Sequence, residues 1–211
     1  MKRLSTTLGR LSFESPITVA SGTFGTEYFD FYEQSVLGAY VSKTITFEAK
    51  AGNPPPRLYE TEAGMINSIG LQNPGIEVFV REHLPALIDK LSIPLIVSFS
   101  GSSVTEFVRM LETLEQSKSI AGYEVNVSCP NVEKEGIAFG TDADMVFDLT
   151  SKLCAVTQRE LIVKLSPNVS DIATIAQAAE AGGASSLALI NTIFGMAIDW
   201  ETGKARIKRG I

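Results

Sequence analysis

A parallel α/β barrel of the TIM (β/α)8 kind, represented by about its first six β/α units, is the fold this sequence predicts. Three observations carry that reading. Short apolar runs alternate with longer amphipathic ones along the chain. The runs PLIVSF, ELIVKL and SSLALI are apolar on both faces, as parallel strands covered by helices are. Lys43, Ser98, Asn126, Lys164 and Asn191 each fall at or just after the C-terminal end of a strand. A barrel with its site on that face distributes polar residues in this way, whereas an open sheet concentrates them at one crevice.

The elements follow in order. Pro16–Ala20, PITVA, is the first strand, and the glycine-rich turn SGTFG leads to a helix-like stretch, EYFDFYEQS. No GxGxxG follows that strand, which disfavours a dinucleotide fold. Gly38–Lys43 is the second strand. The long polar section after it contains three consecutive prolines, which exclude a helix interior or a central strand. GIEVFVREHLPALIDKL reads as a helix kinked or split at Pro85. Pro94–Phe99 is the third strand, and Ser102 or Ser103 caps the helix VTEFVRMLETLEQS. GYEVNVS, ELIVKLS and SSLALIN are strands four to six. ADMVFDLTSKLCAVTQR and SDIATIAQAAEAGG are the intervening helices, the second stopping at Gly182 or Gly183. The GTDAD segment supplies an N-cap and acidic first-turn residues.

No linker interrupts the chain, so residues 1–211 read as one domain. A closed barrel takes eight strands and about 250 residues, so the domain is expected to be C-terminally incomplete or completed by a partner.

The composition is that of a globular protein, 45% hydrophobic and 20% charged. A net charge of -6 gives no general field for nucleic acid or an anionic membrane. Two cysteines without CxxC spacing and a single histidine support neither a disulfide scaffold nor a metal cluster. No apolar run reaches the ~20 residues of a membrane span, and the basic N-terminus lacks the apolar stretch of a secretory signal. A reducing cytoplasmic location is the expectation.

The chemistry-bearing stretch is NVSCPN. Asn126 and Asn131 flank Cys129, and amides around a thiol suit a planar amide or imide ligand. A loop thiol is competent for proton transfer near neutral pH, although packing as a small hydrophobe is the alternative. Cys154, inside a helix, is read as core. Lys43 and Lys164 end apolar strands, where each either snorkels to solvent or holds a cation at the barrel mouth. The loop MINSIGLQNPG, with Asn67 and Asn73, is a turn-rich segment or a binding loop. Asn191 and Thr192 end the sixth strand, where they bind a ligand or cap the next segment. Two lysines, several amides and a lone thiol without a histidine base suit a redox cofactor better than hydrolysis.

Together ASGTFG, SKTIT, GNPPPRLYETEAGMINSIGLQNPG, NVSCPNV, GIAFGT, VKLSPNV and LINTIFGMAID resemble class 1 dihydroorotate dehydrogenase. ASGTFG is similar to the B subtype, the catalytic subunit of the NAD-linked form. The resemblance implies a (β/α)8 barrel holding FMN at its C-terminal face and oxidising (S)-dihydroorotate to orotate in pyrimidine synthesis. Cys129 then corresponds to the base that removes the C5 proton, with the C6 hydride passing to flavin N5. Lys43 corresponds to a lysine touching flavin and substrate. Ala20, Ser21, Thr44, Ser98, Asn126, Lys164 and Ile190 correspond to flavin neighbours. Asn67, Ser68, Ile69, Gly70 and Leu71 correspond to the substrate loop, and Asn126, Asn131, Asn191 and Thr192 to further substrate contacts. The family usually has asparagine where this chain has Ser98, which implies a weaker or water-mediated flavin contact. The glycine-rich elements that hold the FMN phosphate in the family are absent from these 211 residues. Poor FMN binding and little turnover are therefore expected of this polypeptide. A homodimer of barrel subunits and an iron–sulfur/FAD subunit linking to NAD are implied partners. A dihydropyrimidine or dihydrouracil oxidoreductase, and an inactive barrel fragment with a structural or regulatory role, are the alternatives.

Overall fold

The computed structural model describes residues 4–128 and 138–207. Its centre is a six-stranded sheet. The strands β3 (Tyr40–Val41), β7 (Leu95–Ser100), β8 (Ile120–Asn126), β9 (Glu160–Lys164) and β10 (Ser186–Ala188) lie side by side in chain order, and β4 (Ile45–Thr46) also pairs with β7. All of these pairings are parallel. Parallel neighbours taken in sequence order, with helices between them, make the wall of a partial (β/α)8 barrel.

The helices form where the sequence caps them. In α3 (Val104–Glu115) the Ser103 side chain accepts from the Glu106 N–H, and the Glu106 carboxylate accepts from the Ser102 N–H at 2.8 Å and its hydroxyl at 2.6 Å. Asp142 caps α4 (Ala143–Val156) and Asp171 caps α5 (Ile172–Ala181). Gly183, at φ +100°, rather than Gly182, supplies the left-handed residue beyond α5. The helix expected to break at Pro85 does so through a π turn. α1 (Ile76–Val78) passes into Phe79–His83, where the Leu84 N–H donates to the Phe79 carbonyl, and α2 (Leu84–Lys90) follows with the proline in its first turn.

Each strand's alternation sorts its side chains onto two faces. Leu95, Val97, Phe99, Tyr123, Val125, Leu161 and Val163 pack in one core with Phe107, Met110, Leu111 and Leu114 of α3 and Met145, Val146, Leu149 and Leu153 of α4. The opposite, inner face carries Ala39, Val41, Ile96 and Ile162, and it packs against Phe13, Leu8 and Leu11. Those three come from an N-terminal hairpin, β1 (Thr6–Leu8) with β2 (Leu11–Phe13), which closes the N-terminal end of the wall. Glu160 is buried there, its carboxylate accepting from the Arg10 N–H and the Ser186 hydroxyl.

Several elements differ from expectation. The strand expected over Pro16–Ala20 reduces to one parallel bridge, Thr18 to Ala39. The helix-like stretch after it forms two 3-10 turns, Thr26–Asp30 and Gln34–Val36, neither of which buries a residue. With no buried stripe, nothing propagates a longer helix. The long polar section contains a hairpin, β5 (Leu58–Thr61) with β6 (Gly64–Asn67), and a second short pair, β11 (Ile198–Asp199) with β12 (Lys204–Ala205), follows the last wall strand. Cys154 is partly buried at the edge of the helical core, and burial pushes its thiol up, as a packed rather than reactive cysteine requires.

Phe13 is 5% exposed in the plug of the inner face. Phe13→Ala is expected to cost about 3–5 kcal/mol in urea denaturation. Phe31→Ser, at a position 80% exposed, is expected to change stability by less than about 0.5 kcal/mol.

Candidate active site

The inner face changes character along each strand. On β7 it runs Ile96, Ser98, Ser100; on β8, Gly122, Glu124, Asn126; on β9, Glu160, Ile162, Lys164. Register places Ser98 beside Glu124 and Asn126 beside Lys164. Beyond Ile96 on β7, Gly122 on β8 and Ile162 on β9 the lining is polar, toward the C-terminal ends of the strands.

These polar groups are joined. Lys164 Nζ lies 3.8 Å from Glu124 Oε1, with the two side chains only 11% and 8% exposed. Lys164 also donates to Ser21 Oγ at 3.0 Å. Ser98, fully buried, donates to Glu124 Oε1 at 2.8 Å. That commits its single proton, so Thr44 donates to Ser98 Oγ across their 2.9 Å contact. Thr44 Oγ1 stands 3.5 Å from Ser21 Oγ, a weak contact that closes the ring. Ser21, Thr44, Ser98 and Lys164, drawn from four segments, are thus brought together. Glu124 was not singled out by the sequence reading, although a carboxylate two residues before Asn126 in an apolar strand is a visible signal.

Lys43 owes its position to a bulge. Between the pairs Val41–Ile96 and Ile45–Phe99, one chain has residues 42–44 and the other only 97 and 98. The extra residue breaks the ladder, and the Ser42 hydroxyl, not a backbone carbonyl, accepts from the Ser98 N–H at 3.1 Å. Lys43 leans over Gly22, where a Cβ would stand 2.6 Å from Lys43 Cδ and 2.8 Å from Nζ. Gly22 has φ +74°, so both its backbone and its lack of a side chain are needed there. Burial, and then the positive charge of Lys164, hold the Lys43 ammonium below its usual range.

Beside this ring lies an amide pair. Asn126 Oδ1 accepts from Asn191 Nδ2 at 3.0 Å and from the Ser128 N–H at 3.2 Å, which leaves its Nδ2 as the donor end for a ligand. Asn191 Nδ2 also reaches Ser128 Oγ at 2.9 Å, and its Oδ1 accepts from the Thr192 N–H. Asn191 therefore braces Asn126 and the residue preceding Cys129. Asn168 steadies the next segment, donating to the Thr192 carbonyl and accepting from the Phe194 N–H. Ala20 and Ile190 are exposed next to Ser21 and Asn191. Cys129 and Asn131 lie outside the described residues.

The segment from Asn67 to Leu71 is held separately. The Ser68 carbonyl and hydroxyl accept from Asn53 Nδ2, and the Ile69 carbonyl accepts from the Asn53 N–H. Gly70 and Leu71 both have positive φ, 72° and 53°. Asn73 ties the loop to β4: its Oδ1 accepts from the N–H groups of Thr46 and Gly75, and its Nδ2 donates to Thr46 Oγ1 and the Leu71 carbonyl. Asn67 and Gly70 are exposed. Among the described residues no hydrogen bond joins 67–71 to Lys43, Asn126 or Asn191, and no group of three or more His, Cys, Asp or Glu is placed to hold a metal. None of the described helices is long and apolar enough to cross a membrane.

A buried lysine with a lowered titration point opposes folding while it is charged. Below its folded value both states are protonated and the whole cost is present. Between the folded and unfolded values the unfolded chain binds more protons, so stability rises with pH. Lys43→Met is expected to raise the urea midpoint at pH 7. Its advantage over the parent should shrink as pH approaches about 10.4, the unfolded lysine value. A pH-independent difference would count against a buried, charged Lys43.

The sequence model of the dihydroorotate dehydrogenase family matches residues 3–211. The chain is 48% identical over 201 residues to the dihydroorotate dehydrogenase B (NAD(+)) catalytic subunit of Thermoanaerobacter pseudethanolicus, covering 94% of this chain and 66% of that protein. It is 46% identical over 212 residues to the same subunit of Geobacillus kaustophilus and 44% identical to that of Listeria welshimeri, in each case over 100% of this chain and over 67% and 69% of theirs. The chain thus spans about two thirds of the length of the curated relatives it matches. A polar mouth built from the ends of successive parallel strands and a match over nearly all residues lead to one assignment: the chain belongs to the dihydroorotate dehydrogenase family, alongside its B-type catalytic subunits.

Proposed function

We propose that the C-terminal mouth of this barrel wall is the site at which the enzyme oxidises (S)-dihydroorotate to orotate with FMN as the cofactor, the 211 residues alone turning over little. The observation that supports it most is the convergence of Ser21, Lys43, Thr44, Asn126, Lys164 and Asn191 from separate segments onto that mouth. The donor set suits a flavin. It offers one paired cation, a second cation, hydroxyls and an amide donor, rimmed by exposed Ala20 and Ile190. Bound FMN supplies the hydride acceptor.

The chain's own residues bind and orient. Lys164, 3.8 Å from the Glu124 carboxylate, offsets negative charge at the cofactor edge. Asn126 presents Nδ2 to the planar ring of the substrate, fixed by Asn191 and the Ser128 N–H. Lys43 supplies the cation nearest Gly22, and the loop Asn67–Leu71, with Thr192, supplies donors for the ring edge and carboxylate. Cys129 takes the C5 proton as general base, and Asn131 assists at the same ligand. Proton and hydride leave adjacent carbons, so two separate acceptors are needed, Cys129 for the proton and the bound cofactor for the hydride.

The relatives are named NAD(+)-linked catalytic subunits, which supports a further subunit beside this one. A homodimer of barrel subunits and an iron–sulfur/FAD subunit are proposed, in the cytoplasm. An exposed apolar stripe supports a subunit contact: Leu189 is 68% exposed, Ile193 74%, Phe194 64% and Trp200 84%.

Rapid-mixing reduction of the flavin-loaded protein by dihydroorotate tests the reaction. Cys129→Ser is expected to slow it about 10²-fold or more at neutral pH with flavin content unchanged. A rate near that of the parent removes Cys129 as the base, and faster reduction by dihydrouracil than by dihydroorotate overturns the substrate. For the partners, Trp200→Glu is expected to weaken self-association in sedimentation velocity. An unchanged association constant would place the contact elsewhere.

A further inference from the structure

Among the described residues, the mouth holds two lysines and one buried carboxylate, Glu124. Glu124 is 6% exposed, and among the described residues no ion pair joins Lys43 to a carboxylate, whereas Lys164 has Glu124 at 3.8 Å. Among the described residues, the charged and titratable groups facing this point come from three elements. β8 brings Glu124, β9 brings Lys164, the bulge after β3 brings Lys43, β7 brings only the neutral Ser98 and Ser100, and the first segment brings the neutral Ser21.

We propose that Glu124 is the positioning residue of this site: its buried carboxylate, held by Ser98, fixes the place of the Lys164 ammonium at the mouth, and Ser98 is the link that ties this placement to Thr44 and Ser21. The proposal deepens the flavin reading and rests on it for its functional meaning. The geometry is directional. Ser98 donates to Glu124 Oε1, the same oxygen that faces Lys164, so the hydroxyl holds that oxygen toward the ammonium. Ser98 in turn accepts from Thr44, and Lys164 donates to Ser21, so both ends of the ring are anchored on segments that precede β7. The serine is short enough for its hydroxyl to be spent inside the wall, between Thr44 at 2.9 Å and Glu124 at 2.8 Å. Ser98 thereby acts on the ligand through Lys164 and not by contact. Lys43, without such a partner, is left as the lysine whose charge responds to its surroundings, which a residue next to a reacting substrate can use.

The test reads protonation, not turnover. In protein labelled with [ε-13C]lysine, Glu124→Gln keeps an oxygen acceptor for Ser98 and removes only the charge. The Lys164 titration is expected to move down by about one to three pH units, and Lys164→Met is expected to move that of Lys43 up. An unmoved Lys164 in Glu124→Gln overturns the proposal. Where that variant does not fold, the unmodified protein decides: the Glu124 carboxyl carbon should shift with the Lys164 midpoint, and the absence of a shared inflection overturns it equally. These outcomes are separate from the flavin reading, which fails instead if dihydroorotate does not reduce the bound flavin of the unmodified protein while the lysine coupling persists.

Discussion

Alternate residues of a strand face opposite sides, and in a parallel wall one of those sides is sealed by helices. Polar residues therefore collect on the other side, and apart from Glu160, held by Arg10 and Ser186 at the start of β9, they do so toward the strand ends. β7, β8 and β9 obey this constraint together. Their helix-facing positions stay apolar throughout, while their inner positions pass from Ile96, Gly122 and Ile162 to Ser100, Asn126 and Lys164. The site is the polar end of an inner face whose other end is plugged by Phe13, Leu8 and Leu11. A one-residue slip of any strand would turn its polar residues into the helical core and its core residues into the mouth. Fold and site are thus selected by the same register.

A charge placed so deep needs a partner, because desolvation of an isolated ammonium outweighs most single contacts. The structure answers this differently for its two lysines. Lys164 meets a buried carboxylate and a hydroxyl. Lys43 has no ion pair among the described residues; a bulge lifts it over Gly22, where it remains half-buried. The bulge costs a ladder bond, and Ser42 restores it by offering its hydroxyl to the Ser98 N–H. Local irregularity and regular register serve the same mouth.

Much of this arrangement was legible in the sequence. Five of the six expected strands, all but Pro16–Ala20, lie in the wall in chain order and parallel, and they follow from apolar runs spaced by amphipathic ones. Lys43, Asn126, Lys164 and Asn191 stood out because polar residues ending apolar runs have one place to go. What escaped notice escaped for physical reasons. Glu124 was read as part of an apolar strand, since its partner Lys164 lies on the next strand and only register brings them together. Ser98, read at a strand end, sits inside β7 with its hydroxyl turned inward. The hairpin of Thr6–Phe13 was passed over because alternation across a single Gly-Arg turn is short, and its apolar residues make sense only against the inner face. The helix expected after Gly25 lays Phe29 against Tyr40 and the core but buries none of its residues fully, so only a 3-10 turn forms.

The asparagines show why residue type alone assigns roles poorly. Asn73, Asn126, Asn168 and Asn191 carry the same amide and the same capacity of donors and acceptors. Asn73 spends all of it on Thr46, Gly75 and Leu71, and so fixes a loop. Asn168 spends its own on Thr192 and Phe194. Asn191 commits both ends, to Asn126, Ser128 and Thr192, and so it orients a neighbour. Asn126 alone of the four has its oxygen held by two donors while its nitrogen donates to none of the other described residues. A planar ligand that presents an acceptor edge to this mouth meets that nitrogen already oriented, because two bonds on the opposite side of the same rigid group have set its angle.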